Sequence, residues 1–341
     1  MDRVALHIGI HKTGSKTLQA FLRHNAPILH ELGFHLPKAG CIDPEVSSNA
    51  HNIAWELLDI PQHVAAAGTW LQLLREIEES ASRTTILSAE DFEFLDDDAV
   101  ERIARDLRRY KTSAIVYLRR HDHLFVSEYA HLLRDGTTVV SFDDWLKVSA
   151  LDPRYDYRGL LERWEKRGFE LIVRSFESEI FRHRELSLDF LDALGVKKIH
   201  FKAFKQVESQ NIKLHGATAI LLRESMACIE KRFGLGAERA PLASAIWWHL
   251  QQFLPDGPAL NPLTSEQRLA ILADHASEYA YIQDKYLSGG PLFSTSVPNI
   301  EKFSELGDLA PEIIVDGLSG VIGALWNERE RLRAVSEAEK Q

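Results

Sequence analysis

The chain has 341 residues, 45% of them apolar and 26% charged, a globular make-up that excludes a disordered or collagen-like chain. Forty basic against 50 acidic residues leave a net charge of −10, which argues against general binding to nucleic acid or anionic membranes but leaves room for a local basic pocket. Two cysteines, Cys41 and Cys228, make no disulfide framework, no apolar run reaches the roughly 18 residues of a membrane span, and Met1-Asp2-Arg3 runs into a strand rather than a signal peptide, so the expected compartment is the cytoplasm.

Val4 to Ile10 reads as a short β-branched strand, and Lys16 to Leu32 as one helix with Leu18, Phe21, Leu22, Leu29 and Leu32 on a face and Gly33 as its stop. Residues 34 to 50 read as loop, followed by helices over 51–58 and 70–79. A second strand is expected at Thr84 to Ser88, a helix at 99–109, a third strand at Ser113 to Leu118 and a helix at 122–134. Helices at 142–148 and 157–167, a strand at 169–176, a helix near 185–194 and a last strand at Ile199 to Phe204 complete the alternation. From about residue 212 the pattern is helical only. Alternating strands and helices imply an α/β fold with a parallel sheet flanked by helices in three layers over 1–205, and a helical portion over 206–341 packed on that core.

Gly9-Ile10-His11-Lys12-Thr13-Gly14-Ser15-Lys16-Thr17 joins the first strand to the first helix. A glycine-bearing turn that opens a helix offers backbone amides and the helix dipole to an anion. Lys12 and Lys16 add charge, and Thr13, Ser15 and Thr17 add hydroxyls. Gly9 and Gly14 have the spacing of the nucleotide-triphosphatase loop, but Ser15 follows Gly14 and Lys16 comes one place late.

Read as Lys12-Thr13-Gly14-Ser15, the loop resembles the 5′-phosphosulfate loop of sulfotransferases that use 3′-phosphoadenosine 5′-phosphosulfate. The resemblance implies a P-loop-like fold and assigns the donor to His11, Lys12, Thr13, Gly14, Ser15, Lys16 and Thr17. It extends to an arginine at a strand end with a serine eight residues later, here Arg119 and Ser127, which in that family hold the 3′-phosphate. A guanidinium fork suits a phosphate, and Ser127 falls in the first turns of a helix. Leu87-Ser88-Ala89-Glu90-Asp91-Phe92 and the stretch from Tyr157 to Glu177 are similar to bacterial members. Lys16 stands where the family has a second hydroxyl residue, Arg120-His121 replaces an asparagine-proline pair, and the glycine-rich lysine motif near the C-terminus of cytosolic animal members is absent. Gln210-Asn211-Ile212-Lys213 is a candidate for part of that role.

The implied reaction moves a sulfuryl group to a hydroxyl of a carbohydrate, lipid or small metabolite by in-line displacement. Lys12 is assigned to the leaving phosphate. The first candidate for the base is Glu90, at a strand end facing the crevice, with its neighbour Asp91 beside it, and the second is His51 at a helix start. Among fifteen histidines only His121-x-His123 is closely spaced and no ligand cluster accompanies it, so no metal site is expected. Trp247 aligns with Leu250 and Leu254 as core, and Trp248 is a candidate for stacking on a sugar. Two alternatives stand beside this reading. One is a magnesium-dependent nucleotide kinase, with Glu90 or Asp91 handling the metal, against which the shifted lysine counts. The other is an interaction protein: Leu318, Val321, Leu325, Leu332 and Val335 lie at near-heptad spacing, interrupted by Glu328, and suit a partner helix, with packing back onto the core preferred. A homo-oligomer is a separate expectation.

Overall fold

Val4, Ala5, Leu6 and Ile8 are fully buried, as expected of a strand covered on both faces of a parallel sheet. This strand, β1 (Arg3–Ile8), lies at the centre of five, with β2 (Phe34–His35), β3 (Thr84–Ala89), β4 (Lys111–Leu118) and β5 (Glu170–Ser175) in the order β2-β3-β1-β4-β5. All pairings are parallel, and Ile8 stands beside Ala89. The computed structural model describes residues 2–207, 215–234, 236, 239–254 and 256–338. Its helices are α1 (Ser15–His24), α2 (Ala26–Glu31), α3 (His51–Leu57), α4 (Trp70–Glu79), α5 (Asp97–Asp106), α6 (His121–Arg134), α7 (Phe142–Ser149), α8 (Tyr157–Glu165), α9 (Leu186–Leu194), α10 (Gly216–Phe233), α11 (Arg239–Phe253), α12 (Ser265–Asp274), α13 (Ala276–Tyr286) and α14 (Pro311–Ala338).

The chain forms two compact units that interleave in sequence: residues 1–120, 153–211 and 274–296 in the first, and 121–152, 212–273 and 297–341 in the second. The first holds the sheet. On one face Ala5, Ile86, Ile115 and Tyr117 pack with Leu18, Phe21 and Leu22 of α1 and Phe190 and Leu191 of α9. Elsewhere in this unit Trp164 of α8 meets Phe92 and Phe169 edge-on. His7 points into the core, where its Nδ1 pairs with Ser88 Oγ at 2.9 Å, and burial pushes its imidazole down to about 4.

The second unit is built on helices. α10, α11 and α14 pack on one another, and two isolated antiparallel bridges join His215 to Ala259 and Asn261 to Phe303. Its buried charge is paired: Arg268 donates to Asp122 at 3.0 Å and to Asn261 at 2.5 Å.

Three expectations need correction. The helix expected over Lys16 to Leu32 is two helices, broken at Asn25. Pro27 opens α2 without an amide to give, and Asn25 Nδ2 donates to the carbonyls of Phe21 and Lys205 at 2.9 Å each. The strand expected at Ile199 to Phe204 is instead a 3-10 turn over Lys198–Ala203, with Phe201 and Phe204 buried three residues apart and Ile199 exposed. β2 lies inside the segment expected to be loop, where Phe34 and His35 pair with Thr84 and Thr85.

Candidate active site

β1 sits between β3 and β4, so the chain leaves it at a point where the sheet runs to either side. In open parallel sheets that crevice, at the carboxyl ends of the strands, is where ligands bind. Three segments of the first unit leave strands here: the loop Gly9–Gly14 after β1, a 3-10 turn Glu90–Phe94 after β3, and Arg119 after β4.

The loop has a demanding backbone. Lys12 has φ 68° and Gly14 φ 78°, both left-handed. A Cβ on Gly14 would lie 2.7 Å from Leu186 Cδ2, so glycine is required there for space as well as for torsion. Lys12 is not glycine, and its strained backbone is held from outside by Arg119 Nη1, which donates to the Lys12 carbonyl at 2.6 Å. Arg119 is itself fixed: its guanidinium lies 5.6 Å from the Phe176 ring centre, and its carbonyl accepts from the Tyr157 hydroxyl at 2.6 Å. Thr13 is buried and its Oγ1 donates to the Ile10 carbonyl at 2.5 Å.

Gly14 caps α1 with no side-chain hydrogen bond, so the amides of Ser15 and Lys16 have no acceptor within the helix. Ser15 is 2% exposed, and its Oγ is buried with no hydrogen-bond partner among the described residues. A Cβ on Gly9 would come within 2.6 Å of that oxygen and 3.4 Å of Glu90 Cβ, so Gly9 leaves space that a side chain would close. Lys16 is exposed on the first turn of α1, and Thr17 is half-buried.

The turn after β3 carries the second half of the site. Asp91 Oδ2 accepts from His51 Nδ1 at 2.9 Å and from Trp55 Nε1 at 2.6 Å, while Asp91 Oδ1 lies 3.5 Å from His11 Nε2. The other nitrogen of His11 bonds Glu93, which also accepts from the His11 backbone amide at 3.2 Å. Burial opposes charge on His11, but the hydrogen bonds to Asp91 and Glu93, with the fields of Glu93 and Glu90, prevail and push it up to about 10. Burial likewise opposes charge on Asp91, yet the hydrogen bonds of His11 and His51 hold its carboxyl well below the usual carboxylate range. His51 reaches this position because Ala50 donates to the Ser88 carbonyl at 2.7 Å, which ties the start of α3 to the end of β3. With Nδ1 committed to Asp91, His51 has Nε2 left to take a proton. The His51 and Trp55 rings stack with centroids 6.0 Å apart.

The first unit thus brings together His11, Lys12, Thr13, Gly14, Ser15, Lys16, Thr17, His51, Glu90, Asp91 and Arg119. Ser127 is half-buried on α6 in the second unit, so its pairing with Arg119 rests on sequence spacing. Gln210 to Lys213 lie outside the described residues. Trp247 is half-buried and Trp248 exposed on α11 of the second unit. Arg120 is a buried structural residue, donating to the carbonyls of Ser294 and Ser296 at 2.9 and 2.8 Å. The sequence reading missed Trp55 and Glu93. Trp55 carried a usable signal, since it falls one helical turn after His51.

No protein-family model matches the chain, and no curated protein matches it. Among solved structures the chain is similar to one described as the crystal structure of a sulfotransferase from Alicyclobacillus acidocaldarius, at 16% identity and a TM-score of 0.37, over 66% of this chain and 90% of that one.

Proposed function

We propose that the chain is a sulfotransferase that takes the sulfuryl group of 3′-phosphoadenosine 5′-phosphosulfate to a hydroxyl acceptor. The observation that carries this reading is the buried, unpartnered Ser15 hydroxyl at an uncapped helix start, in a loop whose sequence resembles the phosphosulfate loop. The first-turn amides and Ser15 receive the 5′-phosphosulfate, and Lys12 stabilises charge on the departing phosphate. Arg119 is the 3′-phosphate ligand, with Ser127 its companion by sequence spacing.

In the transfer, the acceptor oxygen forms a bond to sulfur as the bond from sulfur to the phosphate oxygen breaks. The electron pair leaves on the phosphate, and the acceptor proton goes to a base. Of the three base candidates the geometry favours His51 through Nε2, with Asp91 holding the ring. Asp91 is already engaged by three partners, His51, Trp55 and His11, which suits it to orienting the ring. Glu90, beside Gly9, remains the competing base.

One observation favours a second reading. Ser15 Oγ and Glu90 both flank Gly9, and a hydroxyl with a carboxylate beside a phosphate loop also suits magnesium in a nucleotide kinase. A transfer assay separates the two, using donor labelled in the sulfuryl group and a panel of hydroxylated sugars and lipids without metal. The proposal expects label in an acceptor, and turnover reduced in Lys12→Ala far more than binding of the product nucleotide. Magnesium-dependent phosphoryl transfer from ATP, with no sulfuryl transfer, would overturn it.

A further inference from the structure

α14 has two faces of different character. Along one, Gly317, Gly320, Val321 and Ala324 pack inward. A Cβ on Gly317 would meet Leu221 of α10 at 2.3 Å, and one on Gly320 would touch Phe253, His249 and Leu250 of α11 at 3.4–3.5 Å. Asn327 and His249 pair at 2.9 Å along the same seam. Packing back onto the unit therefore uses Val321 of the expected heptad stripe but not Leu318 or Leu325.

The other face is apolar and open. Val315, Leu318, Ile322, Leu325 and Trp326 are each 40–65% exposed. Their spacing of three and four residues lines them into one stripe, the seam a partner helix needs. Five large side chains at those exposures present roughly 500 Å² of apolar surface, at the upper end of what a monomer shows to water. Two such faces together reach about 1,000 Å², the lower bound of a specific interface.

Charge along α14 selects the partner. Exposed Glu312 and Asp316 flank the start of the stripe, and exposed Arg329, Arg331 and Arg333 flank its end, with Glu328 and Glu330 among them. Glu328 is engaged by Arg331 and Glu330 lies 4.0 Å from Arg329, so the three arginines and two glutamates leave this end net positive by one charge. Arg329 lies over the Trp326 ring at 5.0 Å. The acidic end of one α14 thus complements the more basic end of another only when the two run antiparallel, which is the arrangement of a two-fold dimer.

We propose that α14 is a homodimerisation helix, pairing antiparallel with α14 of a second copy about Ile322. An isologous contact of this kind brings each Ile322 close to its own symmetry mate. The reading is independent of the proposed activity.

Sedimentation equilibrium of the full chain between about 1 and 100 µM tests it. The expected result is a reversible dimer of the 38.7 kDa chain. Ile322→Glu should raise the dimer dissociation constant at least tenfold, with circular dichroism and the melting curve retained by the monomer because the side chain is exposed. Glu312→Arg with Asp316→Arg, and separately Arg329→Glu with Arg333→Glu, should each weaken self-association. Mixing these two double variants should restore a dimer. A monomer across the whole range overturns the proposal, as does a dimer that survives Ile322→Glu unchanged. A chain that stays monomeric and instead binds neutral lipid vesicles through this face also overturns it.

Discussion

His51 Nδ1 donates to Asp91 Oδ2 at 2.9 Å, which orients the imidazole and leaves Nε2 as its proton acceptor. Asp91→Asn keeps the shape but removes the charge and the fixed tautomer. Turnover is expected to fall about 100-fold or more, with binding of 3′,5′-adenosine bisphosphate nearly intact. His51→Ala should lose activity to a similar degree, and Glu90→Gln much less. Steady-state kinetics beside calorimetry checks this; full turnover in His51→Ala with loss in Glu90→Gln moves the base to Glu90.

Arg119 touches the loop through the carbonyl of Lys12. Arg119→Ala is therefore expected to weaken donor binding by roughly 2–4 kcal/mol, through the lost phosphate partner and a released left-handed turn. Preference for a donor carrying the 3′-phosphate over adenosine 5′-phosphosulfate should vanish with it. Competition binding with both nucleotides reads the effect; unchanged preference would mean that Arg119 serves the loop alone.

Gly14→Ala adds a Cβ at φ 78° against Leu186. The folded state should lose roughly 1–3 kcal/mol, and nucleotide binding should suffer beyond that loss because the start of α1 shifts. Denaturant unfolding and calorimetry on the same variant separate the two. A variant as stable as the parent would contradict the left-handed turn.

Much of this was legible in the sequence because local chemistry determined it. β1, β3 and β4 follow from β-branched runs, and the loop from its glycines. The single helix over Lys16 to Leu32 failed because apolar spacing continues across Asn25, while Pro27 and the long-range bond from Asn25 to Lys205 break the ladder. Phe201 and Phe204 fit a strand or a 3-10 turn equally by hydrophobicity, and packing chose the turn. Glu90, Asp91 and His51 were all visible as carboxylate and imidazole candidates. How they come together was not, because it depends on Ala50 docking against Ser88 and on Trp55 joining Asp91, contacts spanning 36 to 40 residues.

The buried titrating groups predict how stability depends on pH. His11 is raised to about 10 in the folded chain, so its contribution is full below the unfolded value near 6.5 and is lost as pH rises toward 10. Asp91 is lowered, so its contribution is present above the unfolded value near 3.9 and is lost as pH falls below it. His7 is lowered to about 4, so its contribution is present above about 6.5 and declines between there and 4. Denaturant unfolding from pH 4 to 10 should show a maximum near neutrality. In His11→Gln the alkaline decline should flatten, and an undiminished decline would refute the ion cluster.

The donor claim is tested most directly by calorimetric titration of the full chain with 3′,5′-adenosine bisphosphate in the presence of a chelator, set against ATP with magnesium. The expected result is metal-independent binding of the bisphosphate, lost in Arg119→Ala, and binding of magnesium-ATP at least tenfold weaker. Tight magnesium-dependent ATP binding with no response to the bisphosphate would contradict it.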